Sequence, residues 1–190
     1  MEKRKKALIL LANGFEEIEA VCPIDILRRA DISVTISSCE KELTVKGRSN
    51  ISLLADCMLE EINQQTFDLL LLPGGPAVFE LRKKQSVLKI IQNHNRGNKW
   101  IGAICAAPLL LKDANILGSL KHTAHSSVAN ELPMLIKGKD IVIDRNLVTS
   151  PGAGTGIQFG LALIETLLNS DFAKSIADSI HAPFTPLIKN

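Results

Sequence analysis

Aromatic residues are scarce in this chain, 4% of 190 residues, and neither an arginine-rich arm nor a large charge excess accompanies them, the formal net charge being +2. Both absences argue against nucleic acid as the main partner. No apolar run approaches the roughly 20 residues that a membrane-spanning helix needs. The four cysteines, Cys22, Cys39, Cys57 and Cys105, lie far apart without a C-x-x-C pair. That spacing argues against a disulfide frame or a zinc site and for reduced thiols in a cytoplasm. Repeats, linkers and low-complexity segments are also absent, so residues 1–190 read as one domain, long enough to bury a layered core. The basic start, Met1-Glu-Lys-Arg-Lys-Lys, and the apolar residues after it imitate a signal peptide. Asn13-Gly14 and three glutamates stand where a small-residue cleavage site belongs, so the segment reads as a first strand behind a solvated basic start.

What is present alternates between strand and helix signals. Residues 7–12 and 68–72 are continuous apolar runs, as strands buried on both faces require. Residues 17–30 carry Ile18, Val21, Ile24 and Leu27 at helical spacing, with acids early and Arg28-Arg29 late, matching the helix dipole. Residues 32–37 alternate as a strand, and residues 41–54 read as a hairpin turning at Lys46-Gly47. Helix signals follow at 86–95, short strands at 121–124, 140–143 and 147–149, and helices at 155–168 and 172–180. Apolar strands interleaved with helices give an α/β sandwich, a parallel sheet covered on both faces. Ligands in such folds bind beyond the carboxyl ends of the strands. Asn13-Gly14, Gly74-Gly75 and Cys105 each follow an apolar strand and should gather there.

The stretch W-I-G-A-I-C-A-A-P-L-L-L, from Trp100 to Leu111, carries the most chemistry. A strand turning sharply into a helix exposes the turn residue, here Cys105, at the sheet edge and at the positive end of a helix dipole. A thiol so placed is stabilised as a thiolate, nucleophilic and oxidisable; the bland alternative is a buried packing cysteine. Glu16, Glu17 and Glu19 sit on the first turn of the first helix. At least two of them read as solvated partners of the dipole, and one could face the cleft, where desolvation would keep it protonated. Spacing alone does not choose it. Pro73-Gly74-Gly75 allows backbone N–H groups close to an oxyanion. Gly152-Ala-Gly-Thr-Gly156 lacks the Lys-Ser/Thr of a nucleotide loop and reads better as helix–strand packing. His94 and His181 read as surface residues, and His125 matters only if the fold carries it to Cys105.

Together these stretches resemble the ThiJ/PfpI superfamily and, within it, the DJ-one (Parkinson-associated) branch. The matching segments are A-L-I-L-L-A-N-G-F-E-E-I-E-A-V, R-R-A-D-I-S-V-T, F-D-L-L-L-L-P-G-G, I-G-A-I-C-A-A-P, H-T-A-H and L-V-T-S-P-G-A-G-T, in order over essentially the whole chain. The resemblance implies a flavodoxin-like sandwich and a homodimer. It gives Cys105 the part of the nucleophile, Glu19 that of the protonated glutamate beside it, and His125 that of the nearby histidine. Gly74, Gly75 and the Ala106 amide match the anion pocket, while Glu16, Arg28 and Arg48 match positions near the dimer interface. Departures from the pattern are Ala-Ala-Pro after the cysteine where one branch has His-Gly, Asp31 for a glycine after the first helix, Ser126 for a proline, and Pro151 with Ala153 in the last motif.

The activity so implied is cofactor-free and metal-free handling of small α-oxoaldehydes or their early protein adducts, as a glutathione-independent glyoxalase or deglycase. Cys105 would form a hemithioacetal, Glu19 would move the proton between carbons, His125 would assist, and backbone amides would hold the oxyanion. A second class needs the same thiol: a redox-sensing stress protein or chaperone in which Cys105 oxidises to a sulfinate. Peptidase or amidotransferase chemistry is weakened by the missing histidine after Cys105 and by the lack of a synthase domain.

Overall fold

The computed structural model describes residues 4–62, 65–132 and 134–187; the first three residues of the basic start lie outside them. Seven strands form one sheet in the order β5-β2-β1-β6-β7-β9-β8. The strands are β1 (Lys6–Leu11), β2 (Ser33–Ser38), β5 (Cys57–Met58), β6 (Leu69–Leu72), β7 (Trp100–Ile104), β8 (Val142–Asp144) and β9 (Leu147–Ser150). All neighbours run parallel except β8, which pairs antiparallel with β9 at the edge. The central strands are the apolar runs: every residue of β6 is at most 1% exposed, and Ala7 to Leu11 of β1 are equally buried. A separate hairpin joins β3 (Thr44–Lys46) to β4 (Ser52–Leu54), with Val45 opposite Leu53.

Among the described residues six helices cover the sheet: α1 (Glu17–Arg29), α2 (Ala77–Leu81), α3 (Gln85–Arg96), α4 (Pro108–Asp113), α5 (Gly156–Leu167) and α6 (Ser170–Ser179). From β1 the chain steps to β2 on one side, and from β6 to β7 on the other. Right-handed crossovers therefore place α1 on one face and α2, α3 and α4 on the opposite face. α5 packs against α1 and α6, completing the first layer, and α3 and α4 pack together in the second. The chain reverses direction across the sheet between β1 and β6. Loops after these two strands diverge there, opening the crevice in which such sheets bind ligands.

Several local expectations meet their physical reasons. Asp31 takes φ 57°, the left-handed conformation that ends α1 where a glycine is usual. The strand expected over 121–124 is reduced to one bridge, His122 to Leu135. Its polar groups turn elsewhere: His122 Nδ1 lies 2.8 Å from the Leu120 carbonyl, and Thr123 N–H donates to Thr149 Oγ1 at 2.9 Å. β5, the 3-10 turn Leu59–Ile62 and α2 are too short to leave a periodic signal. A 3-10 turn, Ala153–Thr155, opens α5, and further along that helix Gly160 lets α1 approach so closely that a Cβ there would lie 2.9 Å from Ile26 Cδ1.

His94 departs from its expected surface position. Its Nε2 is buried without a hydrogen-bond partner, and the ring lines a small cavity with Leu8, Leu59 and Phe67. Burial pushes its pKa down to about 4, with nearby Lys99 adding to the effect. His181 is exposed, as expected. No helix among the described residues is long and apolar enough to cross a membrane.

Candidate active site around Cys105

Five backbone segments converge on the carboxyl edge of the sheet, each tied to another by a main-chain hydrogen bond. Cys105 N–H donates to the Ser150 carbonyl (2.9 Å), and His125 N–H donates to the Cys105 carbonyl (2.9 Å). Glu16 N–H donates to the Gly74 carbonyl (3.2 Å), and Ala77 N–H to the Gly14 carbonyl (3.2 Å). The expected gathering of Asn13-Gly14, Gly74-Gly75 and Cys105 is therefore what the chain does.

Cys105 itself adopts φ 64°. A left-handed non-glycine residue costs on the order of 1–3 kcal/mol and persists only where its surroundings hold it. Here the Cys105 amide and carbonyl are both fixed, so the elbow between β7 and α4 is sharp and the thiol is half-buried. Gly74 makes room for it, because a Cβ at that position would lie 2.6 Å from Cys105 Cβ and 2.7 Å from Glu19 Oε2. Gly75, at φ 87°, lies so close to the Gly14 carbonyl that a Cβ would come within 2.5 Å.

Glu19 is the inward-facing member of the three glutamates. It is 1% exposed, accepts from Gly74 N–H at 2.9 Å, and hydrogen-bonds to the Cys105 thiol. Burial raises its pKa from the ordinary 4.5 to about 7; the Glu16 charge adds to this, and the Arg48 charge and the Gly74 amide oppose it. The Gly74 amide, expected to face an oxyanion, is taken up by this carboxyl. The donors that face the sulfur are the amides of Gly75 and Ala106.

The thiol does not owe its state to a helix dipole, as the sequence suggested. α4 begins three residues beyond Cys105 and is only six residues long. Burial pushes Cys105 up to about 12, the Glu19 carboxylate charge and its hydrogen bond add to that, and the two amides pull it down. Glu19 and Cys105 are hydrogen-bonded and titrate as a pair. Burial raises both groups, so near neutral pH the pair readily exchanges one proton while the second stays bound. In the one-proton state, carboxylate with thiol and carboxylic acid with thiolate differ only by a transfer along that hydrogen bond. The other cysteines have no such partner: burial raises Cys22 and Cys57, and pushes Cys39 up to about 12. Cys39 is 7% exposed, and Cys57 lies in the edge strand β5.

Glu16 and Glu17 have structural duties. Glu16 caps α1 by accepting from Glu19 N–H at 2.8 Å, which orients the first turn that carries Glu19. Glu17, expected to be solvated, is 6% exposed. Its Oε1 accepts from Ser49 N–H at 2.6 Å and from Ile51 N–H at 3.4 Å, so it holds the hairpin turn against α1. Glu17→Gln keeps an oxygen but removes the charge that strengthens these bonds. It is expected to cost about 1–2 kcal/mol of stability, read as a lower urea midpoint; an unchanged midpoint would contradict the clamp.

His125 reaches the site through its backbone more than its ring. Its Nδ1 lies 2.8 Å from Ser127 Oγ and accepts from Ser127 N–H at 3.2 Å, and no hydrogen bond joins the ring to Cys105. The ring edge and Glu19 Oε1 lie 3.7 and 3.9 Å from the point where a Gly152 Cβ would stand, so both flank one space. Arg28 is engaged within the chain, donating to the Val34 carbonyl at 3.2 Å and lying 3.8 Å from Asp56. Arg48 is exposed on the hairpin turn. No group of three or more His, Cys, Asp or Glu among the described residues could hold a metal.

This geometry can be set beside known proteins. The model of the DJ-1/PfpI family matches residues 5–166. The chain is 31% identical over 180 residues to protein dj-1beta of Drosophila melanogaster, covering 93% of this chain and 96% of that protein. It is 29% identical, with the same coverage, to the glutathione-independent glyoxalase DJR-1.2 of Caenorhabditis elegans. It is 33% identical over 168 residues to protein DJ-1 homolog B of Arabidopsis thaliana, of whose length it spans only 38%. The crystal structure of Drosophila DJ-1beta superposes with a TM-score of 0.93 at 30% identity, covering 96% of this chain and all of that one. A Toxoplasma gondii DJ-1 structure, described as oxidized, gives a TM-score of 0.91 at 31% identity, covering 95% and 100%.

Proposed function

The chain belongs to the DJ-1/PfpI family, and from that premise we propose that it converts small α-oxoaldehydes to hydroxy acids without glutathione, acting on the free aldehydes or their early protein adducts. The observation that carries this reading is the buried Glu19 carboxyl hydrogen-bonded to the Cys105 thiol at a strained elbow, with the Gly75 and Ala106 amides facing the sulfur.

In the one-proton state the sulfur attacks the aldehyde carbon of methylglyoxal. The carbonyl oxygen takes the proton held by the pair, giving a hemithioacetal, with the Gly75 and Ala106 amides stabilising the developing charge. Glu19, now a carboxylate, removes the hydrogen on that carbon and returns it to the neighbouring carbon, while the hemithioacetal O–H proton passes to the former ketone oxygen, so the ketone becomes an alcohol and the hemithioacetal a thioester. Water then cleaves the thioester, releasing lactate and regenerating the thiol. One water is consumed and no external electron acceptor is needed. A pair that titrates near 7 suits a group that must both give and take a proton at neutral pH.

The test is metal-stripped protein with methylglyoxal, followed by proton NMR. Lactate formed in many equivalents per chain is the expected result. Methylglyoxal loss that stops at protein stoichiometry, without lactate, would overturn the reading.

A redox reading draws on the same donors, because amides that face a sulfur also suit sulfinate oxygens. Mild peroxide is then expected to add two oxygens at Cys105 alone, mapped by mass spectrometry. Modification of Cys22, Cys39 or Cys57 at the same rate would count against it.

The assembly we propose is a homodimer through α1 and the hairpin turn. Ile18, Val21 and Ile51 are 50%, 43% and 55% exposed, and Ile157 at the start of α5 lies beside them. Apolar side chains grouped in this way favour a partner surface, and Glu16, Arg28 and Arg48 lie on the same two elements. Light scattering at micromolar concentration is expected to give twice the 20.6 kDa chain mass; a monomer mass would contradict it.

A further inference from the structure

We propose that Arg82 is the positioning residue that keeps the three catalytic loops in register, a role that rests on reading Cys105 and Glu19 as the reacting pair. Three short helical segments leave the site. α2 follows Gly75, α4 follows Cys105 and Ala106, and the 3-10 turn Ser126–Glu131 follows His125. α2 and α4 run about 8–9 Å at α-helical rise and the 3-10 turn about 12 Å, and their far ends meet at one guanidinium. Arg82 caps the end of α2, Asp113 is the last residue of α4, and Glu131 is the last residue of the 3-10 turn.

Arg82 Nε donates to Asp113 Oδ2 at 2.6 Å and Nη2 to Asp113 Oδ1 at 3.0 Å. Nη1 donates to Glu131 Oε1 at 3.1 Å and Nη2 to Glu131 Oε2 at 2.9 Å. Both carboxylates are thus held by two bonds each from one planar fork, which lysine cannot reproduce. Arg82 and Asp113 are 21% and 22% exposed, so solvent screens that pair less than a surface pair, whereas the Glu131 side chain is 42% exposed. Lys112 adds a single bond to Glu131 at 3.3 Å.

The near ends of the same three segments carry the Gly75 amide, Cys105 with the Ala106 amide, and the His125 amide that holds the Cys105 carbonyl. Neither Asp113 nor Glu131 lies near Arg82 in sequence, at 31 and 49 residues away, and no local rule requires the fork to join these helices. Misplacing a catalytic group by about 1 Å can cost up to 10²-fold in rate. A fork that fixes the far ends of short helices therefore controls where their near ends aim.

The test compares Arg82→Gln, Arg82→Lys and Glu131→Gln in the full chain, well below their unfolding temperatures. Iodoacetamide labelling of Cys105 is followed by mass spectrometry as a function of pH, beside kcat and KM for methylglyoxal. Arg82→Gln is expected to slow labelling at pH 7 by at least ~10-fold, to raise the labelling midpoint, and to lower kcat more than it raises KM. Arg82→Lys should fall between the variant and the parent. Glu131→Gln, which leaves the Asp113 bonds in place, should give a smaller shift in the same direction and serves if Arg82→Gln does not fold. A variant with a lower Tm but parental labelling rate and midpoint would show a purely structural role and overturn the proposal. Labelling needs no aldehyde turnover. A parent without turnover whose labelling still depends on Arg82 would refute the aldehyde reading and leave the positioning role standing.

Discussion

Replacing Cys105 with alanine is expected to abolish aldehyde turnover and to remove the fast phase of iodoacetamide labelling. The sulfur meets both a carboxyl and two backbone amides, and the first bond of the proposed reaction forms on it. Residual turnover would have to come from water activated by Glu19, which has no route to a thioester. The fold should survive. The backbone at position 105 stays left-handed with alanine, so its strain is not relieved. What disappears is a half-buried thiol that keeps its proton at neutral pH, so the loss is confined to its packing and its contact with Glu19. Thermal or urea unfolding is therefore expected to lie within about 1–2 kcal/mol of the parent. Lactate production at the parental rate by Cys105→Ala would remove the chemical basis of the whole reading.

Glu19→Gln is expected to keep the fold and to lower turnover by at least ~10²-fold, the usual range for a general acid–base group. Glutamine can donate to the sulfur but cannot take the proton from carbon. The pH dependence separates the two roles. In the parent, activity should rise through about pH 7, where the pair loses its first proton. The stability change runs the other way. Burial holds Glu19 at about 7 in the folded protein against an ordinary 4.5, so the folded state binds the proton more tightly than the unfolded chain. This favours folding at low pH and is lost as pH rises from 4.5 through 7, by up to about 3 kcal/mol. Glu19→Gln should flatten that decline. A stability profile of the same slope in parent and variant would mean that Glu19 is not the group titrating there.

The central sheet was legible because its strands are continuous apolar runs: Leu69–Leu72 has no other use than burial on both faces. The elbow was legible for a related reason, since small residues around Cys105 permit a turn that larger ones would block. The choice of Glu19 among three glutamates came from resemblance, and one turn of helix decides it physically. Glu16 caps the helix, Glu17 faces the hairpin and Glu19 faces the cleft. Glu17 was misjudged because its partners, Ser49 and Ile51, come from a turn more than thirty residues away. Arg82 left no signal for the same reason: its meaning lies in which helix ends the fold brings together. The state of the thiol was misjudged because a strand-to-helix turn suggests a dipole, whereas burial and one buried carboxyl dominate at this site.

The pairing of Glu19 with Cys105 is the claim on which everything else rests, and one measurement addresses it directly. The rate of Cys105 alkylation, followed by mass spectrometry from pH 5 to 10, is compared between the parent and Glu19→Gln. The account predicts a parental midpoint near 7, because the pair can release a proton from the carboxyl and still present a reactive sulfur. In Glu19→Gln the sulfur must lose its own proton against burial, and the midpoint should rise by more than about one unit. The same midpoint in both proteins, or labelling of Cys22 or Cys57 as fast as Cys105, would contradict the account.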